Sequence, residues 1–346
     1  MPPPPASTHL DAAAAAPPTE HFLPALIDDG CPLLFLSALA LMLSGAFALF
    51  LSATGAFLPQ DLAYLRMDPA SLCGVAGGRV ARFMFHDRVA FGGTLVAIGT
   101  LYLWLTRFPL RRGEEWAWWT LLVSAAVGFA SFLCYLGYGY LDTWHGAATL
   151  GLLPLFVGGL WKTRALLPPA AERAGWRCLL APAGDAPWRA WWQTRARLGR
   201  ACLLLIGGVL VGAGAVIMLT GMTVVFVLED LAYLGLSPAT LDAINARLVP
   251  LIAHDRAGFG GGLACCGLTV CLVLWKTPHV TPALWQALAL AGGTGFACAI
   301  GVHYLIGYLI PAHLLPAWAG AAVYALGMWC LRPAGAAGAT DNGESS

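Results

Sequence analysis

The sequence predicts an all-α integral membrane protein with eight transmembrane helices, arranged as two tandem, parallel-oriented four-helix bundles. Three observations predict it. The chain of 346 residues is 59% hydrophobic and only 11% charged, with a mean hydropathy of +0.72, whereas soluble domains carry roughly a quarter charged residues. About eight apolar stretches reach the roughly 20 residues that cross a bilayer as a helix. Two sets of motifs recur at a nearly constant offset. A net charge of +1 excludes the basic face that nucleic-acid binding needs.

Residues 1–30 are rich in Pro and Ala, hold no Lys or Arg, and predict a disordered tail. The expected spans are 32–58, 83–106, 116–140 and 145–161, then 202–228, 249–275, 283–310 and 313–331. They form a first repeat over 31–161 and a second over 202–331, with a disordered tail at 332–346. Between the repeats, 162–201 carries eight of the 19 basic residues together with Trp176, Trp188, Trp191 and Trp192. That composition suits a linker lying along the headgroup layer. Connections on the linker's side hold 13 of the 19 Lys and Arg residues. Positive charge marks the cytoplasmic side, so the expectation is a multi-pass protein of the plasma (inner) membrane with both termini cytoplasmic. Most of the ten cysteines fall in apolar stretches without CxxC spacing, as small packing residues do.

The duplication is explicit. QDLAYL at Gln60–Leu65 returns as EDLAYL at Glu229–Leu234, and HDRVAFGG at His86–Gly93 returns as HDRAGFGG at His254–Gly261. GYLDTWH, ending in His145, returns as GYLIPAH, ending in His313, and each half separates its two histidines by 59 residues. A copied unit with an even number of spans keeps its orientation, so the halves are related by an axis near the membrane normal.

The copies have diverged elsewhere, which singles out their shared polar groups as site candidates. His86, His145, His254 and His313 open the even-numbered spans at one depth, and imidazoles paired at one depth suit a bis-histidine haem or a metal ion. Gly93 and Gly261 leave room for a flat macrocycle. Arg88 and Arg256 suit bidentate pairing with propionates. Asp87 and Asp255 suit orienting an imidazole or an arginine. The competing assignment makes HDR an interfacial anchor, with Asp at a helix start and Arg snorkelling. Asp61, Glu229 and Asp230 are either solvated loop residues or groups near the histidines, and Tyr64, Tyr233, Tyr140 and Tyr308 suit interfacial hydrogen bonds. His303 has no histidine counterpart in the first half and is either a satisfied polar residue between helices or an extra ligand.

Eight spans from a tandem duplication, with His86, His145, His254 and His313 on the second, fourth, sixth and eighth, resemble heme A synthase over about residues 31–331 in topology and histidine placement. The resemblance implies haem b, one or two, held by His86 with His145 and by His254 with His313. It leaves open whether the chain is an enzyme. The function expected first is a membrane haem-binding redox protein, exchanging electrons with a quinone or a peripheral partner. A transporter or channel, with HDR binding an ion, and a structural protein anchored by HDR are the alternatives.

Overall fold

The computed structural model describes residues 29–133, 143–184 and 192–333. The expected tails fall almost wholly outside these residues, as do Tyr140, Trp188 and Trp191. Among the described residues the chain is helical with no strand. In the first half, α1 (Cys31–Thr54), α2 (Pro59–Leu65), α3 (Pro69–Gly74), α4 (Arg79–Arg107), α5 (Glu115–Phe132) and α6 (Thr143–Thr163) follow one another. The second half repeats the order with α7 (Arg195–Met222), α8 (Leu228–Leu234), α9 (Pro238–Ile244), α10 (Leu248–Lys276), α11 (Pro282–Ile306) and α12 (Pro311–Cys330). The short pairs α2–α3 and α8–α9 are the connections that the sequence leaves between its first and second spans.

Among the described residues, five helical segments are long and apolar enough to cross a membrane, fewer than the eight expected. They contain α1, α4, α7, α10 and α11. The remaining long helices, α5, α6 and α12, are diluted by weakly hydrophobic or polar residues such as Trp116, Trp118 and Trp119 in α5, and His313 and Pro316 in α12. Large apolar residues are exposed on these segments, among them Leu43, Phe47 and Phe50 on α1 and Leu205, Val216 and Leu219 on α7. A stripe of this kind in a helical protein meets lipid instead of water.

The halves do not form two separate bundles. Each long helix packs on the next in a closed order, α6, α1, α4, α11, α12, α7, α10, α5 and back to α6, and α4 also packs on α10 across the middle. The third long helix of each half thus lies against the second long helix of the other, α11 on α4 and α5 on α10. Small residues allow it. A Cβ on Gly93 would lie 2.6 Å from Cβ of Cys298 on α11, and one on Gly261 would lie 2.0 Å from Cβ of Ser131 on α5. These two glycines are therefore seats of helix crossings and not the walls of a macrocycle slot, because backbones close to this distance only where no side chain intervenes. Gly261→Leu forces α5 off α10, and an overpacked contact of this kind costs typically 1–3 kcal/mol. A thermal unfolding midpoint lowered by several degrees in detergent is the expected result.

The linker is tied to the opposite end of the bundle from the HDR motifs. Glu115 accepts hydrogen bonds from the Ala174 and Gly175 amides at 3.0 and 2.8 Å, and Arg200 donates to the Trp275 carbonyl at 3.2 Å. Trp176 and Trp192 are exposed. All nine cysteines described are free thiols.

Candidate functional site

The two HDR segments lie in the second or third turn of α4 and α10, where these helices meet, and the short helices α2 and α8 close over them. Each arginine takes a carboxylate from both halves. Arg88 donates to Asp61 of its own half, with Nε also 3.5 Å from Asp255 of the other half. Arg256 donates to Asp230 of its own half at 2.5 Å, with Nε 3.6 Å from Asp87 of the other. The result is a pseudo-symmetric ring of four carboxylates and two guanidiniums. Arg88 and Arg256 are thus buried and matched by protein carboxylates, in place of the propionates expected from sequence. Asp61 and Asp230 are buried at 3% and 0% exposure, which removes the solvated-loop assignment.

Asp230 is held by several groups at once. It accepts from the Val227 amide at 2.9 Å and the Tyr308 hydroxyl at 2.8 Å, and Arg256 donates in addition to the Val225 carbonyl at 2.7 Å. Burial pushes the Asp230 carboxyl up, but Arg256 and the hydrogen bonds outweigh it and hold it below the usual carboxylate range. A depressed folded-state value means stability that is present at neutral pH and lost as acid protonates the carboxylate.

Asp87 and Asp255 each lie beside the histidine that precedes them. His86 Nδ1 lies 2.9 Å from Asp87 Oδ1, and His254 Nδ1 lies 3.0 Å from Asp255 Oδ1. Each imidazole is thereby held with Nδ1–H toward its carboxylate.

The histidines pair differently from the expectation. His86, His303 and His313 each bring a ring nitrogen within 4.8 Å of the others. His86 Nε2 stands 3.1 Å from His303 Nε2, and the His313 ring centroid is 5.2 Å from that of His303 and 6.1 Å from that of His86. His313 therefore stands with His86 of the other half, a neighbour that the expected His254–His313 pairing did not include. The cause is the crossing of α11 onto α4, which delivers the end of α11 and the start of α12 to His86. The side chain of His145 lies outside the described residues, so the expected His86–His145 pair is not described.

His303 Nδ1 faces the Ala299 carbonyl at 2.7 Å. A carbonyl only accepts, so Nδ1 carries the proton. With His86 Nδ1 donating to Asp87, both Nε2 lone pairs point at each other across 3.1 Å. Two lone pairs at that separation repel unless a cation or a shared proton lies between them. Tyr308 backs the cluster, stacked on His313 at 4.6 Å and on Tyr233 at 4.7 Å. Phe83 stacks beside His86 at 5.9 Å and lies under the Arg256 guanidinium at 5.1 Å.

His303 is the residue that the doubled motifs pass over, because Tyr135 stands at the equivalent place in the first half. The available signal was a histidine ten residues before His313 and close to the end of a span. Asp87→Asn leaves the ring of His86 without its ionised anchor. Loss of such an outer partner typically costs 10–100-fold in metal affinity, which titration of the purified protein with zinc would read.

Comparison with protein-family models, with curated proteins and with solved structures finds no match for this chain.

Proposed function

We propose that the chain crosses the plasma (inner) membrane eight times, with both termini cytoplasmic, and is a metalloprotein of redox function. In this proposal one transition-metal ion is held by His86, His303 and His313 at the seam of the two halves. The observation that carries the metal assignment is the 3.1 Å separation of the His86 and His303 Nε2 atoms with His313 beside them. Metal–imidazole bonds are about 2.0 Å long. Two ligands on opposite sides of one ion then stand about 4 Å apart, and adjacent ligands about 2.9–3.3 Å. The spacing supports adjacent ligands on a small ion. It does not fit two axial ligands with a macrocycle between them, so no step is derived through haem at this cluster. Imidazole-only donors suit copper, zinc or iron, and three protein ligands leave a coordination position open for a reactant. Copper or iron is the choice that serves redox chemistry.

The resemblance to heme A synthase in duplication and histidine placement supports the redox class and the membrane setting. It belongs with this proposal, as does a haem b elsewhere in the molecule. The clustering of ionisable groups at one end of the helices, instead of along a route through them, favours this proposal over a transporter.

Metal analysis of the detergent-purified chain, paired with oxidised and dithionite-reduced visible spectra, tests the proposal. About one non-haem copper or iron per chain, with or without a reduced α band from a haem b elsewhere, is the expected result, and zinc alone would remove the redox class. A bis-histidine α band with no bound non-haem metal would restore haem as the cofactor, and neither metal nor band in folded protein would remove the centre altogether.

A further inference from the structure

A second feature is a cavity of about 530 Å³ between α1, α4, α5 and α6 of the first half and α10 of the second, within the range of small-molecule sites. It is separate from the three-histidine cluster. One end holds His254 and Asp255 with Arg88, Asp61 and Asp87 beside them, and the rest of the described lining is mainly apolar, with the hydroxyls of Ser37, Ser44, Tyr102, Ser131 and Thr149 spread along it. Along α4 the lining runs from Arg88 to Tyr102, which at 1.5 Å per residue is about 21 Å. The shape is a long slot with its charged groups near one end. Phe91 and Phe132 line it close to that end. Leu43 and Phe47 of α1 also line it, and both are exposed on the outer face of the bundle. The slot therefore opens sideways, toward the acyl chains that this face meets.

We infer that this slot binds a lipid-soluble molecule of the quinone class, its ring among Phe91 and Phe132, its carbonyl or hydroxyl toward His254 and Asp255, and its tail along α4. The charge at the polar end favours a neutral head. Four carboxylates stand against two guanidiniums, and a net negative field repels the phosphate of a phospholipid. A head that exchanges hydrogen bonds with an imidazole and a carboxylate, a flat ring among aromatic side chains and an apolar tail are the three features of a quinone. The inference rests on the membrane setting of the proposed function and not on its metal.

Saturation binding of a tritiated decyl-substituted benzoquinone to the full chain in detergent tests it, against decylbenzene and phosphatidylglycerol as competitors. The expected result is one saturable site per chain, displaced by neither competitor at equal concentration. Ser44→Trp and Leu95→Trp project bulk into the slot from α1 and α4, and each weakens binding at least ~10-fold with an unchanged unfolding midpoint. Ser44 is exposed on the slot's margin, so its variant keeps the test valid if Leu95→Trp fails to fold. His254→Ala weakens the quinone more than decylbenzene. Non-saturable uptake, equal binding by the Trp variants, or displacement by phosphatidylglycerol would overturn the inference. His86→Ala separates the two ideas: metal lost with quinone retained leaves the slot standing, whereas quinone absent from metal-loaded protein strikes the slot alone.

Discussion

Replacing His303 with alanine strips the bound metal from the protein. A missing first ligand leaves two imidazoles, and the loss exceeds the ~10–100-fold that removal of an outer partner costs. The contrast with the sequence-derived pairing makes this the most discriminating substitution. A bis-histidine site built from His86 and His145 has no use for His303, whereas the cluster of His86, His303 and His313 fails without it. Metal content after a chelator wash, compared among His303→Ala, His86→Ala and the unaltered chain, reads the outcome directly. A second readout follows from linkage, since a metal bound only by the folded state stabilises it. Chelator therefore lowers the unfolding midpoint of the unaltered chain and leaves that of His303→Ala where it was. A His303→Ala protein that retains its full metal complement would refute the assignment.

Substitution of Arg256 by methionine is expected to be the most destabilising single change at the seam. Arg256 is 6% exposed and its partner Asp230 is fully buried, so removing the guanidinium leaves a buried carboxylate uncompensated. The cost of breaking one side of a buried pair is about 3–5 kcal/mol. Asp230 also loses the partner that holds its carboxyl below the usual range, and its hydrogen bond from Tyr308 then carries the strain into the wall behind the histidines. The double variant Arg256→Met with Asp230→Leu recovers most of the loss, because no charge is then stranded. Arg112→Ala provides the contrast. Its pair with Glu114 is solvent-facing, with the arginine side chain 59% exposed, and such pairs are worth about 0–1 kcal/mol. Unfolding midpoints of the four proteins in one detergent would test the order, and an Arg256→Met midpoint equal to that of Arg112→Ala would contradict it.

Much of the site was legible because the chain carries it twice. The repeated HDR and DLAYL segments identified His86, Asp87, Arg88, Asp61 and their counterparts, since polar groups retained by two otherwise drifted copies mark shared constraints. The closeness of Asp87 to His86 and of Asp255 to His254 was also legible, as it needs only neighbouring residues on one helix. The partners of Arg88 and Arg256 did not. Propionates were the expectation, but each guanidinium meets a carboxylate from a short helix about 26 residues earlier and another from the opposite half. His303 was weighed only as an extra because its first-half equivalent is a tyrosine, and repetition cannot flag what only one copy has.

The sequence by itself determined that the protein is helical, apolar and duplicated, because hydropathy, span length and repeat offset are properties of one chain read in order. It also determined which end of the helices carries the repeated ionisable residues. Only the tertiary structure decided which histidines meet. Two adjacent bundles and one interleaved ring satisfy the same hydropathy pattern, since both bury the same stripes. The choice between them is made by close helix crossings, Gly93 against Cys298 and Gly261 against Ser131, whose fit depends on shape in three dimensions. Once α11 lies on α4 in place of α5, His303 and His313 are carried to His86, and the candidate centre belongs to neither half alone.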